Sequence, residues 1–323
     1  NILGIRLSAW FSSLCTITGL IIPMALLISM GLIWYLTGQP LAMHLTLSNM
    51  TPHFNHLSNW VTMQGVLLSL CGIELATVHA KDTRNPQRNF PIALIISVVI
   101  ITTTLIAGAL SIAFVIPVKS LSLVSGIMDT FNHFLNAYHM HWLLPILAVM
   151  VAIGSLGGVN SWIIGPTRGL RVACEESQFR PWLIKKNTHN APVSLLLLQA
   201  VLVSIVVILF FLLPGVNASY WLLSVLAAQI YMMMYILMFA ASIVIRLRLN
   251  YNNSSYQIPG GLIGHLLVSG CGLIGSILAF LICFLPPSNI HIGNLKEYEL
   301  LMIGGLFILC FLPLLFLKRK NLN

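Results

Sequence analysis

The sequence predicts an all-α integral membrane protein with eight transmembrane helices. Three observations carry that reading. Only 7% of its 323 residues are charged and 58% are hydrophobic, whereas soluble domains carry about 25% charged residues to cover their surface. The apolar residues fall into eight runs of about the 20 residues a bilayer crossing needs. The cations also alternate in density from one interhelical loop to the next.

The eight runs are Leu7–Leu36, Trp60–Ala80, Ile92–Val115, Trp142–Ile164, Val193–Leu213, Tyr220–Ile245, Gly264–Cys283 and Leu300–Leu317. Pro40, Pro117, Pro214 and Pro286-Pro287 stand just past run ends, where a missing N–H stops a helix cheaply. With the first residues inside, the inner loops hold Arg6, Lys81, Arg84, Arg88, Arg168, Arg171, Arg180, Lys185, Lys186, Arg246, Arg248, Lys318, Arg319 and Lys320. The outer side holds Lys119 and Lys296 alone. The positive-inside rule therefore puts both termini of the chain in the cytoplasm. The net charge of +9 serves topology and anionic headgroups. It is no sign of nucleic-acid binding, because no basic patch is interleaved with exposed aromatics.

Cys15, Cys71, Cys271, Cys283 and Cys310 lie in apolar runs and Cys174 on the inner side, so no disulfide framework is expected. HExxH, GxSxG, P-loop and dinucleotide motifs are absent from the sequence. The reading is of no enzyme, no cofactor and no metal. The outer histidines His44, His53, His56, His133, His139, His141 and His291 read as solvated loop residues; a pH-responsive outer surface is the alternative. The chain opens on Asn1 with no signal-peptide pattern before the first run. This is expected of a piece of a longer or processed protein.

Polar groups at membrane depth are costly and tend to be functional. Of seven acidic residues, Glu74 alone falls inside a run, beside Cys71, Gly72 and Ile73. Desolvation favours its neutral form, and a glycine beside a buried acid predicts an unwound point where backbone groups meet a ligand. The alternative is a structural carboxyl tied to the bundle. The sixth run carries Tyr220, Ser224, Ala228, Tyr231 and Tyr235 at helical spacing. Tyr220 fits an interfacial belt. Tyr231, about 16 Å deeper, needs a partner for its hydroxyl, either in a site or on a neighbouring helix; Gln229 is a weaker case of the same kind. The fourth run reads Gly154-Ser155-Leu156-Gly157-Gly158-Val159-Asn160-Ser161-Trp162. Its glycines predict close helix packing, and Trp162 either stacks on a substrate path or fills the core.

These residues bring out a resemblance. Gly72-Ile73-Glu74 with Asn85-Pro86-Gln87-Arg88-Asn89-Phe90-Pro91 resembles helix six and its following loop in the amino acid–polyamine–organocation transporter superfamily. Trp162-Ile163-Ile164-Gly165-Pro166-Thr167-Arg168-Gly169-Leu170, Ser219-Tyr220-Trp221-Leu222-Leu223 with Gln229, Tyr231 and Tyr235, and Tyr256-Gln257-Ile258-Pro259-Gly260-Gly261 look like its bacterial glutamate/GABA antiporter branch. The resemblance covers essentially the whole chain.

It implies a 5+5 inverted-repeat (LeuT-like) fold followed by two extra helices, of which this chain carries helices five to twelve. Residues 1–323 then form a single transmembrane domain. Residues 1–57 are helix five and an outer loop, 58–250 the second repeat with helices six to ten, and 251–323 helices eleven and twelve. It further implies a midplane site in which Cys71, Gly72 and Glu74 form the helix-six break, Trp162 lies near the inner path, and Tyr231 and Tyr235 gate or line the cavity. The implied function is antiport of glutamate against GABA, or a related amino acid pair, across the cell inner membrane, linked to acid resistance. The partners are a small amino acid and the lipid bilayer, with a homo-oligomer left open. The family's helix-one substrate motif and C-terminal plug have no counterpart in these residues, so the chain alone is expected not to transport. A non-transporting relic or interaction subunit of the membrane is the alternative.

Overall fold

The computed structural model describes residues 5–43, 46, 51, 57–117, 120–176, 187–188, 191–211, 216–248, 258–285 and 295–311. Among these the secondary structure is wholly helical. Six helices are long and apolar enough to cross a membrane: Ser8–Leu36, Asn59–Thr77, Pro86–Val115, His141–Arg171, Val216–Arg248 and Gly261–Ile282. They match six of the eight expected runs. The other two appear as the shorter apolar helices Val193–Ile208 and Tyr298–Phe311, and the ends expected for them at 212–213 and 312–317 lie outside the described residues. So do His44, His53, His56, His291, Lys119, Arg180, Lys185, Lys186, Lys318 to Lys320, Pro214, Pro286-Pro287 and Tyr256-Gln257.

The first span comprises α1 (Ile5–Thr16), a π-helical turn (Ile17–Ile21) and α2 (Ile22–Leu36). Pro23 explains the turn: it has no N–H to give the carbonyl four residues back, and Ile22 N–H instead reaches Ile17 O five residues back. Gly19 sits in this bulge against Gly154 of α6 (Leu144–Glu176), and a Cβ on either glycine would strike the other's backbone. One step along the same seam Gly157 abuts Cys15. Beyond it the Asn160 amide donates to Ser8 O at 2.8 Å and to Ser12 Oγ at 2.6 Å. Gly154 and Gly157 thus do the close packing expected of the fourth-run glycines, while Gly158 faces open space.

The second span is broken. α3 (Leu57–Leu70) ends in a turn at Cys71-Gly72, and a 3₁₀ segment (Ile73–Asp82) follows. α4 (Pro86–Val115) begins six residues earlier than its apolar run, with Pro86 in the first turn and Asn85 in the left-handed region at φ 47°. Ile95, Ile96, Val99, Ile100 and Ile106 on it are largely exposed, as suits a helix whose outer face meets acyl chains rather than water.

α5 (Gly126–Ala137) lies where the sequence offered only an outer loop. Its fully buried Phe131, Phe134 and Leu135 join Leu27, Met30, Phe114 and Leu147 in a core cluster, and Thr130 beside them is also fully buried. Trp34 packs edge-on to Phe134 at 5.6 Å and donates to Pro40 O at 3.1 Å. α6 runs twelve residues past the expected end, Ile164, and through Pro166. Thr167 ties it to α7 (Val193–Phe211) by donating to Gln199 Oε1 at 2.9 Å.

α8 (Val216–Arg248) packs most extensively on α9 (Gly261–Ile282), with Gly272 against Phe239. Tyr298 and Met302 of α10 (Leu295–Phe311) form a second core cluster with Leu222, Val225, Leu226 and Ala228 of α8. α8 also runs along α3, and this contact builds the site.

Candidate functional site

Glycine at position 72 makes the break. Its φ is +101°, which a side chain resists, and a Cβ there would meet the Trp162 ring edge at 2.9 Å. The helix therefore opens where the chain can turn and where Trp162 can close on bare backbone. Leu75 N–H returns to Gly72 O at 3.1 Å as the 3₁₀ segment begins.

The break brings Glu74 back onto its own backbone. Glu74 Oε2 accepts from Gly72 N–H at 3.1 Å and from the Tyr235 hydroxyl at 2.6 Å. The second bond spans α3's continuation and α8. Glu74 Oε1 is buried and has no hydrogen-bond partner among the described residues. One oxygen of the carboxyl group is thus held by two donors while the other is free to take a proton or an ammonium group. Cys71, one turn from Leu67, gives its thiol to Leu67 O at 3.3 Å.

An aromatic ladder leads away from the carboxyl group. Tyr231 and Tyr235 meet at 6.0 Å, and Trp162 stands edge-on to Tyr231 at 5.9 Å. Trp162 is half-exposed, with one ring edge against the backbone at Gly72. Pro166 has no N–H to pair with the Trp162 carbonyl four residues before it, which loosens α6 beside the ring. The six residues expected at a site, Cys71, Gly72, Glu74, Trp162, Tyr231 and Tyr235, fall together in one place from three spans. The rest of the stripe on α8 does not join them: Tyr220 is exposed, Ser224 bonds back to Tyr220 O at 2.8 Å, and Ala228 is buried in the packing cluster.

Two further polar side chains lie buried inside apolar spans: Gln64 is 3% exposed, and Gln229, the weaker case beside the tyrosines in the sequence, is 0% exposed with neither amide atom paired among the described residues. Glutamine inside an apolar run was the available signal. His133, His139 and His141 are exposed, and no group of three or more metal-ligating side chains occurs among the described residues.

The family described as amino acid permease matches residues 1–308. An uncharacterised transporter of Legionella pneumophila is 39% identical over 99% of this chain and 69% of its own length. A glutamate/gamma-aminobutyrate antiporter of Lactococcus lactis is 30% identical over 92% of this chain and 60% of its own. A probable agmatine/putrescine antiporter of the same species is 24% identical over 62% of this chain and 42% of its own. The chain thus spans about three fifths of the length of the glutamate/gamma-aminobutyrate antiporter it matches. These relatives are transporters, not enzymes, and the apolar helices make the chain a multi-pass membrane protein. The chain belongs to the amino acid permease family.

Proposed function

We propose that this chain forms the gating half of an amino acid antiporter of the cell inner membrane, exchanging glutamate for GABA or a closely related pair. The observation that carries the reading is the bond from Tyr235 to Glu74 at the Gly72 break. A broken helix at membrane depth exposes backbone groups suited to a zwitterionic ligand. The acid beside it offers one free oxygen, and the tyrosine that holds the other oxygen lies on a different span. A substrate that displaces Tyr235 from Glu74 would bias two arrangements of the same helices, which is what alternating access requires. Trp162, with its ring edge against Gly72, would occlude the inner path.

The finer reading follows from this. The spans correspond to family helices five to twelve, with the second inverted repeat over 58–250 and eight crossings in all. Both chain termini face the cytoplasm, as the 14 inner and 2 outer cations support. Exchange of an acidic for a neutral amino acid would serve acid resistance when glutamate is decarboxylated inside, because decarboxylation consumes a proton. A relic or interaction subunit is the weaker reading, since the six site residues are present and assembled.

The test is counterflow. Full-length protein is reconstituted into liposomes loaded with GABA, and labelled glutamate is supplied outside. Uptake that needs internal GABA and is abolished in Tyr235→Ala supports the reading. Uptake indifferent to the internal amino acid, or none for any amino acid pair, removes it.

A further inference from the structure

Four aromatic rings stand in file from the helix break to α9. Trp162 is edge-on to Tyr231 at 5.9 Å, Tyr231 meets Tyr235 at 6.0 Å, and Tyr235 meets Phe239 at 6.4 Å with the rings tilted by 49°. The last three follow one another at four-residue steps along one side of α8. Each end of the file rests on a glycine. A Cβ at Gly72 would meet the Trp162 ring at 2.9 Å, and a Cβ at Gly272 on α9 would strike the Phe239 ring. The three heavy atoms nearest to that added Cβ all belong to Phe239. The first glycine is the helix break itself. The second belongs to a helix that contributes none of the six site residues.

Polar contacts hold α9 at this height on α8. Ser242 lies three residues past Phe239, on the same side of α8. Its Oγ is 3.0 Å from His265 Nε2 and 3.5 Å from Ser269 Oγ, and its carbonyl oxygen is 3.3 Å from the same histidine nitrogen. The bare backbone at Gly272 is thereby kept opposite Phe239. The bond at the other side of the Tyr235 ring is sensitive to displacement. The hydroxyl lies 2.6 Å from Glu74 Oε2, and hydrogen bonds weaken steeply as their geometry departs from this range. Tyr231 bounds the Tyr235 ring on one side and Phe239 on the other.

We propose that Gly272 and Phe239 are positioning residues for the gate: the α9 backbone seats Phe239, and Phe239 holds the Tyr235 ring where its hydroxyl reaches Glu74. α9 then acts on the site through packing alone. The inference rests on the transport reading for its effect on exchange, and on the Tyr235–Glu74 bond for its effect on stability.

The test is a thermal double-variant cycle on purified full-length protein: wild type, Gly272→Ala, Tyr235→Phe and the two together. Tyr235→Phe keeps the ring and removes only the hydroxyl, so coupling to position 272 runs through the bond to Glu74. Gly272→Ala already weakens that bond if α9 seats the ring. The midpoint loss of the double variant should then fall short of the summed single losses by at least about a third. Additive losses would overturn the proposal, because the methyl group would disturb only its own packing. Gly275→Ala is the control. A Cβ there meets nothing within 4 Å, and its shift should add to that of Tyr235→Phe. Phe239→Leu enters the same cycle, removing the ring without crowding α9, and it decides the matter if Gly272→Ala does not fold. Additivity there, or failure of both variants to fold, would equally overturn the seat. Glutamate–GABA counterflow is run on the same proteins. Gly272→Ala should slow exchange per folded protein at least about fivefold, as a displaced site group does, and an unchanged rate beside an active wild type would overturn the proposal. No exchange in wild type would instead remove the transport reading and leave the thermal cycle to judge the seat.

Discussion

Tyr235 on α8 donates a 2.6 Å hydrogen bond to Glu74 Oε2, which also accepts from the Gly72 N–H two residues before it. Removing the hydroxyl should leave that oxygen with its backbone donor alone. Tyr235→Phe keeps the ring contact with Tyr231 and loses a bond to a charged or chargeable group, which is worth about 1.5–3 kcal/mol. Exchange should slow about tenfold or more, with folded protein near wild-type yield. Tyr231→Phe is the control: its ring contacts survive, and its rate should stay within about threefold of wild type. Initial exchange rates normalised to folded protein decide between them, and a wild-type rate in Tyr235→Phe would show that the tyrosine acts through its ring packing and not through its bond to Glu74.

Gly72→Ala combines two insults. The backbone is at φ +101°, and the new methyl group would press on Trp162 at 2.9 Å. Left-handed strain for a non-glycine residue costs about 1–2 kcal/mol, and the ring contact adds to it. The thermal midpoint should fall, and Trp162→Ala in the same background should recover only the steric part. Full recovery would mean that the backbone at 72 is not strained.

Much of this was written in the residues, and the reasons differ by element. The spans are legible because lipid leaves no alternative to long apolar helices. The break at Gly72 is legible because an acid inside an apolar run has few tolerable surroundings other than opened backbone. α5 was not, because its twelve residues are too short to span and their apolar face shows only against the core formed by Trp34 and Phe114. The extension of α6 through Pro166 was hidden because proline ordinarily ends a helix and only the tie from Thr167 to Gln199 shows why it continues here. The partner of Tyr235 could not be read at all: it is set by the register of two helices 161 residues apart, and register is a tertiary property.

The seam between α1 and α6 makes a graded prediction. Asn160→Ala loses bonds to Ser8 O and Ser12 Oγ. Interhelical hydrogen bonds in membranes average about 0.6 kcal/mol with a ceiling near 1.7, so the thermal midpoint should fall modestly. Gly154→Val instead drives a side chain into the backbone of Gly19 and should leave little folded protein. A Gly154→Val variant as stable as Asn160→Ala would refute the close approach at the π-turn.

Topology can be checked at two exposed positions that the structure describes. Arg88→Cys, near the start of α4, should label with an impermeant thiol reagent only after the membrane is opened. His133→Cys, on α5, should label in intact cells. Both belong in a background cleared of native cysteines. Labelling of Arg88→Cys from outside would invert every assignment of inner and outer side and the helix correspondence built on it.

Glu74 carries the last prediction. Its two oxygens are unequal: Oε2 is held by the Gly72 N–H and the Tyr235 hydroxyl, and Oε1 is buried and unpartnered. Glutamine in its place can present its carbonyl oxygen to the same two donors and put its NH₂ group where Oε1 was. Glu74→Gln should therefore fold and insert as wild type does. What it cannot do is carry charge. A carboxylate that gains an ammonium partner at Oε1 switches the local field at the break, and the amide cannot form that ion pair. Exchange should thus fall sharply in Glu74→Gln. Glu74→Ala should be worse, because Gly72 N–H and Tyr235 are then both left without an acceptor. A purely structural carboxyl group predicts another pattern, in which lost exchange tracks lost folded protein in both variants. The measurement is exchange rate, normalised to folded protein, for wild type, Glu74→Gln and Glu74→Ala. Equal rates for wild type and Glu74→Gln would end any role for Glu74 in coupling or gating.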